Sequence, residues 1–249
     1  MTNNFAIMRI EKIKSVSRAG DRLRHNRRLI PCVTATPGVK NARVILNEQM
    51  RKDKYKSFRQ IFRERLGNQK IRKNGIVAIE VLFTFSPDSI QPSQYKEWTN
   101  VNIAWVKKIF GEKNIIDIQC HYDEKTFHNH VFIIPQDEKE RLNSRSFIGG
   151  HRNRMSELQS DYAKSVEKFG LKRGISRKIT KAQHNSSKRW HAENAEKENR
   201  LKAYEEKFGT EKDWDFDRML EFRKIIRKQE NESENILTQE KEIEIEIEK

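Results

Sequence analysis

Cysteine is nearly absent from this chain. Cys32 and Cys120 are too few and too scattered for a disulfide framework or a thiolate metal site, so a reducing cytoplasm is the expected setting. No apolar run approaches the roughly 20 residues that a membrane-spanning helix requires, and the N-terminus lacks the apolar core of a signal peptide. Tyrosine is missing from the first 54 residues. Proline is scarce and works as punctuation: Pro31, Pro87 and Pro135 each close a regular stretch, and Pro37 sits in a loop with Gly38.

Charge, by contrast, is abundant and uneven. The net charge is +15 over 249 residues, with a mean hydropathy of −0.93. Residues 1–180 hold 36 Lys and Arg against 18 Asp and Glu, whereas 181–249 hold 15 against 18. The basic part implies a polyanionic partner, most simply nucleic acid, bound more weakly as salt rises. The length allows one large domain and an appendage. The expected division is a folded domain over 1–180, a charged helical extension over 181–235 and an acidic tail over 236–249. The extension, with an apolar stripe of Phe216, Met219, Leu220 and Ile226, is expected to dock on the domain or on a second copy as a homodimer.

Periodicity orders the basic part. Strands are predicted at Phe5–Ile13, Gly75–Ser86, Asn114–Tyr122 and His128–Ile134, and helices at Ser17–Ile30, Lys54–Lys73, Pro92–Phe110 and His151–Phe169, the last ending at Gly170. Asn41–Met50 is ambiguous. This pattern predicts an α+β fold: a mainly antiparallel sheet flanked by helices, with a helical C-terminal extension.

Three of the seven histidines fall within ten residues, in His121-Tyr-Asp-Glu-Lys-Thr-Phe-His128-Asn-His130. The polar stretch 123–127 reads as a hairpin loop. His128 and His130, two apart on a strand, share a face, and His121 completes a triangle if the register brings it alongside. Three imidazoles leave open positions on a divalent metal, as catalytic sites do. Asp123 and Glu124 are candidates for accepting a ligand N–H, for a fourth ligand or for a general base; as turn residues they are otherwise simply solvated.

His25 lies in Arg22-Leu-Arg24-His25-Asn26-Arg27-Arg28. Neighbouring guanidinium groups depress an imidazole pKa, and a neutral ring among cations suits either a histidine nucleophile or a phosphate-binding histidine. Tyr162, near Lys164 and Lys168, is the competing nucleophile, although its place on an apolar helix face reads as core.

The string H-x-D-E-x-T-x-H-x-H before an apolar strand and Pro135, with His25-Asn26-Arg27-Arg28 upstream, resembles the MobV (Mob/Pre) plasmid relaxases of the histidine–hydrophobe–histidine endonuclease superfamily. Ile71-Arg72-Lys73 ahead of a strand with Glu80, and Leu142-Asn143-Ser144 ahead of a helix ending Phe169-Gly170-Leu171, extend the likeness over roughly residues 5–175. The resemblance implies that a divalent ion, Mn or Mg, held by His121, His128 and His130, polarises the scissile phosphate of single-stranded or supercoiled plasmid DNA at an origin of transfer. His25 would attack phosphorus to leave a covalent histidine–DNA intermediate. Arg28 and Arg72 would steady the phosphate, Glu124 would assist at the metal or with a proton, and Arg22, Arg24, Arg27 and Lys73 would contact DNA. Two features depart from the family pattern: Phe127 stands where Pro is usual, and no tyrosine-bearing segment is recognisable at Asn41–Met50. Two other readings stay open: a rolling-circle initiator or transposase using Tyr162, and a DNA-binding protein whose histidines hold a structural metal.

Overall fold

Alternating apolar side chains build the sheet at the centre of the described residues (4–32, 35–36 and 38–175), in a computed structural model of the chain. The expectations for 181–235 and 236–249 lie outside them. The strands are β1 (Phe5–Ile13), β2 (Ala42–Arg43), β3 (Ala78–Phe85), β4 (Ile115–His121), β5 (His128–Ile133) and β6 (Lys172–Arg173). They lie in the order β2-β4-β5-β3-β1-β6, with every pairing antiparallel except β1 with β6. The expected mainly antiparallel α+β architecture is therefore what the chain adopts.

Each sheet face has its own core. Val81 and Phe83 of β3 and Val131 and Ile133 of β5 pack with Trp98, Val106 and Phe110 of α4 (Tyr95–Phe110) and with Leu158 and Tyr162 of α6 (Arg154–Ser165). The opposite face sets Ile13, Ala78 and Phe132 against Ala19 and Leu23 of α1 (Val16–Asn26) and Phe58, Ile61, Phe62 and Leu66 of α3 (Phe58–Leu66). Each fully buried side chain of this size stabilises the fold by about 1.5–3 kcal/mol. Because side chains alternate, His128 and His130 stand on the Phe132 face, beneath α1. Two short helices complete the described part, α2 (Glu48–Lys52) and α5 (Ser144–Ile148).

Two helices are shorter than their apolar periodicity predicts. The segment expected to run to Ile30 ends at Asn26. The Leu29 N–H bonds back to the Arg24 carbonyl and the Arg28 N–H to that of His25, with Arg28 at φ 53. This is a Schellman cap, in which an arginine occupies the left-handed position that usually belongs to glycine, so no glycine marked the stop. The helix expected over Lys54–Lys73 is α3 alone. Ser57 and Gln60 form a capping box at its start and Gly67 (φ 52) ends it, leaving Tyr55 88% exposed. Arg72 and Lys73 thus lie on an exposed loop.

The ambiguous segment 41–50 supplies β2 and α2, and Arg43 on β2 meets Asp117 of β4 at 2.6 Å. Asp117 is 1% exposed and also holds Arg27, just past α1, at 3.2 Å. One carboxylate therefore joins the edge strand and the end of α1 to the centre of the sheet. Removing one partner of a buried ion pair leaves an uncompensated charge, so Asp117→Ala is expected to lower the unfolding free energy by about 3–5 kcal/mol in denaturant titrations.

Candidate metal centre and active site

The β4–β5 register sets His121 directly opposite His128 and Gln119 opposite His130. The three rings come together with centroids 4.7–5.0 Å apart. Each ring has one nitrogen committed to an oxygen at 2.8 Å. His121 Nε2–H donates to the Asn26 carbonyl, His128 Nδ1–H to the Thr126 carbonyl and His130 Nδ1–H to Glu80 Oε1. These partners assign the tautomers and leave His121 Nδ1, His128 Nε2 and His130 Nε2 with lone pairs. The three rings offer ligand atoms within 4.8 Å of one another.

His121 Nδ1 and His128 Nε2 face each other at 3.1 Å. Two acceptors that close repel unless a proton or a cation lies between them. Burial, reinforced by the nearby His130, pushes the His121 imidazole down to about 3, which disfavours the proton. His128 is lowered in the same direction, by burial first and then by His130. The donor set therefore suits a divalent metal.

Asn26 is the hinge of this arrangement. It is 2% exposed; its carbonyl receives His121 and its Nδ2 donates to Glu80 at 2.7 Å. Burial works to raise the pKa of Glu80. The hydrogen bond and charge of His130, with the Asn26 bond, outweigh that and leave it lowered. An ionised Glu80 fixes the tautomer and orientation of the His130 ring.

Directly before Asn26, the half-buried His25 ring lies 3.4 Å from Arg28 Nη1 through Nε2. A guanidinium only donates, so His25 Nε2 carries a lone pair. Burial, then the charge of Arg28, lowers the His25 pKa, and the ring is neutral near pH 7. Arg28 spans the site: it grips Asp123 through two 2.8 Å bonds and also bonds Glu124. The bonds from Arg28 hold Asp123 well below the usual carboxylate range. Burial opposes the charge on Glu124, but Arg28 and His128 outweigh it and its pKa is also lowered. Glu124 Oε1 stands 3.9 Å from His128 Nε2, and a carboxylate oxygen of the same residue lies within 4.8 Å of a ligand atom of His25.

The structure thus brings His25, Arg28, Glu124, His121, His128 and His130 together. Asp123 corrects the expectation of a solvated turn residue or of an acceptor for a ligand N–H: it is 3% exposed and holds Arg28. Arg27, expected at the DNA, points inward, with its side chain 7% exposed, onto Asp117 and the Lys56 carbonyl. Arg22 pairs with Glu11 at 2.8 Å, and Arg24 is exposed. Arg72 lines a separate pocket with Lys70, Asp137, Arg141 and Arg145, which contains none of the site residues. Tyr162 belongs to the core on the other sheet face, 1% exposed, its hydroxyl donating to Asn102 Oδ1 at 3.0 Å and pushed upward by burial. Cys120 points the same way, away from the histidines, and burial pushes its thiol up to about 11. Sequence reasoning missed the orienting roles of Asn26, Thr126 and Glu80; a carboxylate in the middle of an otherwise apolar strand was the available signal for the last.

A pair of histidines two apart on a hairpin strand of an antiparallel sheet is consistent with the histidine–hydrophobe–histidine endonucleases. The residue between the paired histidines here is polar: Asn129 enters the opposite core and accepts from Asn102 at 2.8 Å. A family model described as plasmid recombination enzyme (Mob/Pre) matches residues 2–192, and the chain belongs to that family, the MobV plasmid relaxases. Among curated relatives, a 65 kDa protein of Zymomonas mobilis subsp. mobilis is 34% identical over 186 residues, covering 73% of this chain and 31% of that protein. Plasmid recombination enzyme type 3 of Staphylococcus aureus is 24% identical over 191 residues, covering 73% and 46%. The chain spans less than half the length of these relatives. In fold it is similar to the Mn-bound MobM relaxase domain in complex with origin-of-transfer DNA of plasmid pMV158, with a TM-score of 0.63, 20% identity, and coverage of 76% of this chain and 98% of that one. Among the described residues no helix is long and apolar enough to cross a membrane.

Outer-shell carboxylates tune metal affinity by about 10–100-fold. Glu80→Gln is therefore expected to weaken Mn²⁺ binding by that factor in isothermal titration, with an unchanged circular dichroism spectrum.

Proposed function

We propose that this chain is a metal-dependent DNA relaxase: it nicks one strand of plasmid DNA at an origin of transfer, stays joined to it through His25, and then transfers or reseals it. The observation that carries this reading is the shared residue pair His25-Asn26. The candidate attacking ring and the carbonyl that orients a metal-binding ring are neighbours in sequence, so the attacker and the metal site are held in one frame.

His121, His128 and His130 would hold Mn or Mg. With three neutral ligands the ion keeps its full double charge, and when bound it supplies electrophilic polarisation of a phosphate oxygen. The other steps fall to the protein. The His25 Nε2 lone pair attacks phosphorus; a P–N bond forms as the P–O3′ bond breaks, and the departing 3′ oxygen takes a proton from solvent. Positive charge then appears on the imidazole, and the Glu124 carboxylate lies beside the ring to offset that charge or accept a proton. Arg28 offers N–H donors next to the ring. The phosphoramidate preserves the energy of the broken bond, so the reverse attack by a 3′ hydroxyl reseals or transfers the strand. Half-buried Arg22 and exposed Arg24 of α1, with Arg72 and Lys73 on their exposed loop, are assigned to the DNA backbone, where contacts position without reading sequence.

The covalent step tests this directly. Incubation with supercoiled and single-stranded origin DNA and Mn²⁺ should give an acid-labile adduct that His25→Ala abolishes and Tyr162→Phe retains; an acid-stable adduct lost in Tyr162→Phe would overturn the assignment. A protonated imidazole is no nucleophile, and the His25 pKa lies below its ordinary value. At saturating Mn²⁺, single-turnover adduct formation should therefore be lost only below pH 6.5, the unperturbed histidine value, and stay flat from there to neutrality.

A further inference from the structure

A second set of metal donors stands beside the histidine triad. His25, Cys32 and Glu124 offer an imidazole nitrogen, a thiol sulfur and a carboxylate oxygen within 4.8 Å of one another. All three residues are half-buried, open enough to admit an ion and enclosed enough to strip part of its water. Cys32 Sγ already contacts Glu124 Oε1 at 3.9 Å. Glu124 lies between the two groups, with the same oxygen 3.9 Å from His128 Nε2.

The donors of the two sets differ in kind. The triad is all imidazole and contains no sulfur. The second set adds a thiolate, a soft ligand that favours Zn²⁺ and its analogue Co²⁺ over the harder Mn²⁺ and Mg²⁺. The charges also balance. A thiolate and a carboxylate match a divalent ion, while Arg28 is already matched by Asp123 through two 2.8 Å bonds. Binding requires that the Cys32 thiol release its proton to solvent and that Arg28, which also bonds Glu124 and lies 3.4 Å from His25 Nε2, withdraw onto Asp123, with no change of oxidation state.

We propose that His25, Cys32 and Glu124 form a second, thiophilic metal site, and that Zn²⁺ bound there inhibits the protein by occupying the His25 lone pair. The site itself stands on the geometry of its three donors. The inhibitory consequence rests on the reading of His25 as the attacking group.

The two parts have separate tests, both on the full chain under reducing conditions. Co²⁺ added to Mn²⁺-loaded protein should produce a near-ultraviolet thiolate-to-cobalt charge-transfer band. That band should persist in Cys120→Ala and vanish in Cys32→Ser. No band in the unsubstituted protein, or one that survives Cys32→Ser, overturns the site. This spectroscopic arm needs neither DNA nor turnover, so its outcome is independent of the relaxase reading. In the second arm Zn²⁺ is titrated into nicking reactions containing excess Mn²⁺. Loss of an outer-shell partner already costs about 10–100-fold in metal affinity; losing a ligand should raise the half-inhibitory Zn²⁺ concentration in Cys32→Ser by more than about tenfold, with the zinc-free rate unchanged. Equal zinc sensitivity in the two proteins would place inhibition at the triad and overturn the inhibitory role.

Discussion

The site depends on how one helix ends. The last carbonyls of a helix have no partners within it and must find them elsewhere. The Asn26 carbonyl, at the end of α1, finds the Nε2–H of His121 at 2.8 Å, deep against the sheet. The same residue's amide reaches Glu80, and Glu80 reaches His130. Two rings of the candidate metal site are thereby oriented from one residue, and His25 precedes it in the chain. Any shift of α1 along the sheet would leave buried polar groups unpaired, at about 1–3 kcal/mol each. The distance between His25 and the triad is therefore a property of the core and not of a loop.

The turn after α1 accepts strain to complete this arrangement. Arg28 sits at φ 53, a conformation that costs a residue with a Cβ roughly 1–2 kcal/mol. A glycine would remove the cost but also the guanidinium, which bonds Asp123, Glu124 and His25 together. Electrostatics within the basic motif is divided in the same way. Asp117 draws Arg27 into the sheet, Arg28 is absorbed by the hairpin carboxylates, and Arg22 pairs with Glu11 and approaches the buried Glu80 at 3.9 Å, so Arg24 is the most exposed of the four arginines. Of the five cationic or imidazole side chains in Arg22-Leu-Arg24-His25-Asn26-Arg27-Arg28, the structure engages three arginines with carboxylates of the sheet and hairpin. High positive charge in a sequence is thus a poor count of the cations available to a polyanion.

The sheet and its histidine hairpin were legible because alternation is a local signal: a spacing of two on a strand puts His128 and His130 on one face without any knowledge of the rest of the chain. The register that pairs His121 with His128 was left as a condition by the sequence, and the β4–β5 pairing meets it. Helix ends were less legible. Apolar spacing carried α1 past Asn26, because an arginine in the left-handed position gives no sign in the sequence; it also carried α3 past Ser57 and Gly67, although a capping box and a glycine were there to be read. The orienting groups were the least legible. Towards the histidines, Asn26 and Thr126 act through backbone carbonyls, to which side-chain identity contributes nothing; only the Asn26 amide on Glu80 depends on the side chain. Arg27 and Arg72 were expected together at the DNA, yet one faces Asp117 and the other lines a pocket apart from the site. Direction of a side chain past a helix end is set by tertiary partners tens of residues away.

Phe127 fixes the hairpin loop by packing. The position is 4% exposed; the Phe127 ring stacks on Tyr95 at 4.2 Å with an interplanar angle of 5°, and meets Trp98 edge-on at 5.7 Å. Its carbonyl also accepts from Thr84 Oγ1 at 3.1 Å. Burial of an aromatic ring contributes about 1.5–3 kcal/mol, and a well-placed ring pair adds about 0.5–1.5. The loop is therefore pinned by packing on one sheet face while Asp123 and Glu124 engage Arg28 on the other. An anchor in the core thus fixes the loop, and the carboxylates beside His25 are held from both sides of the sheet.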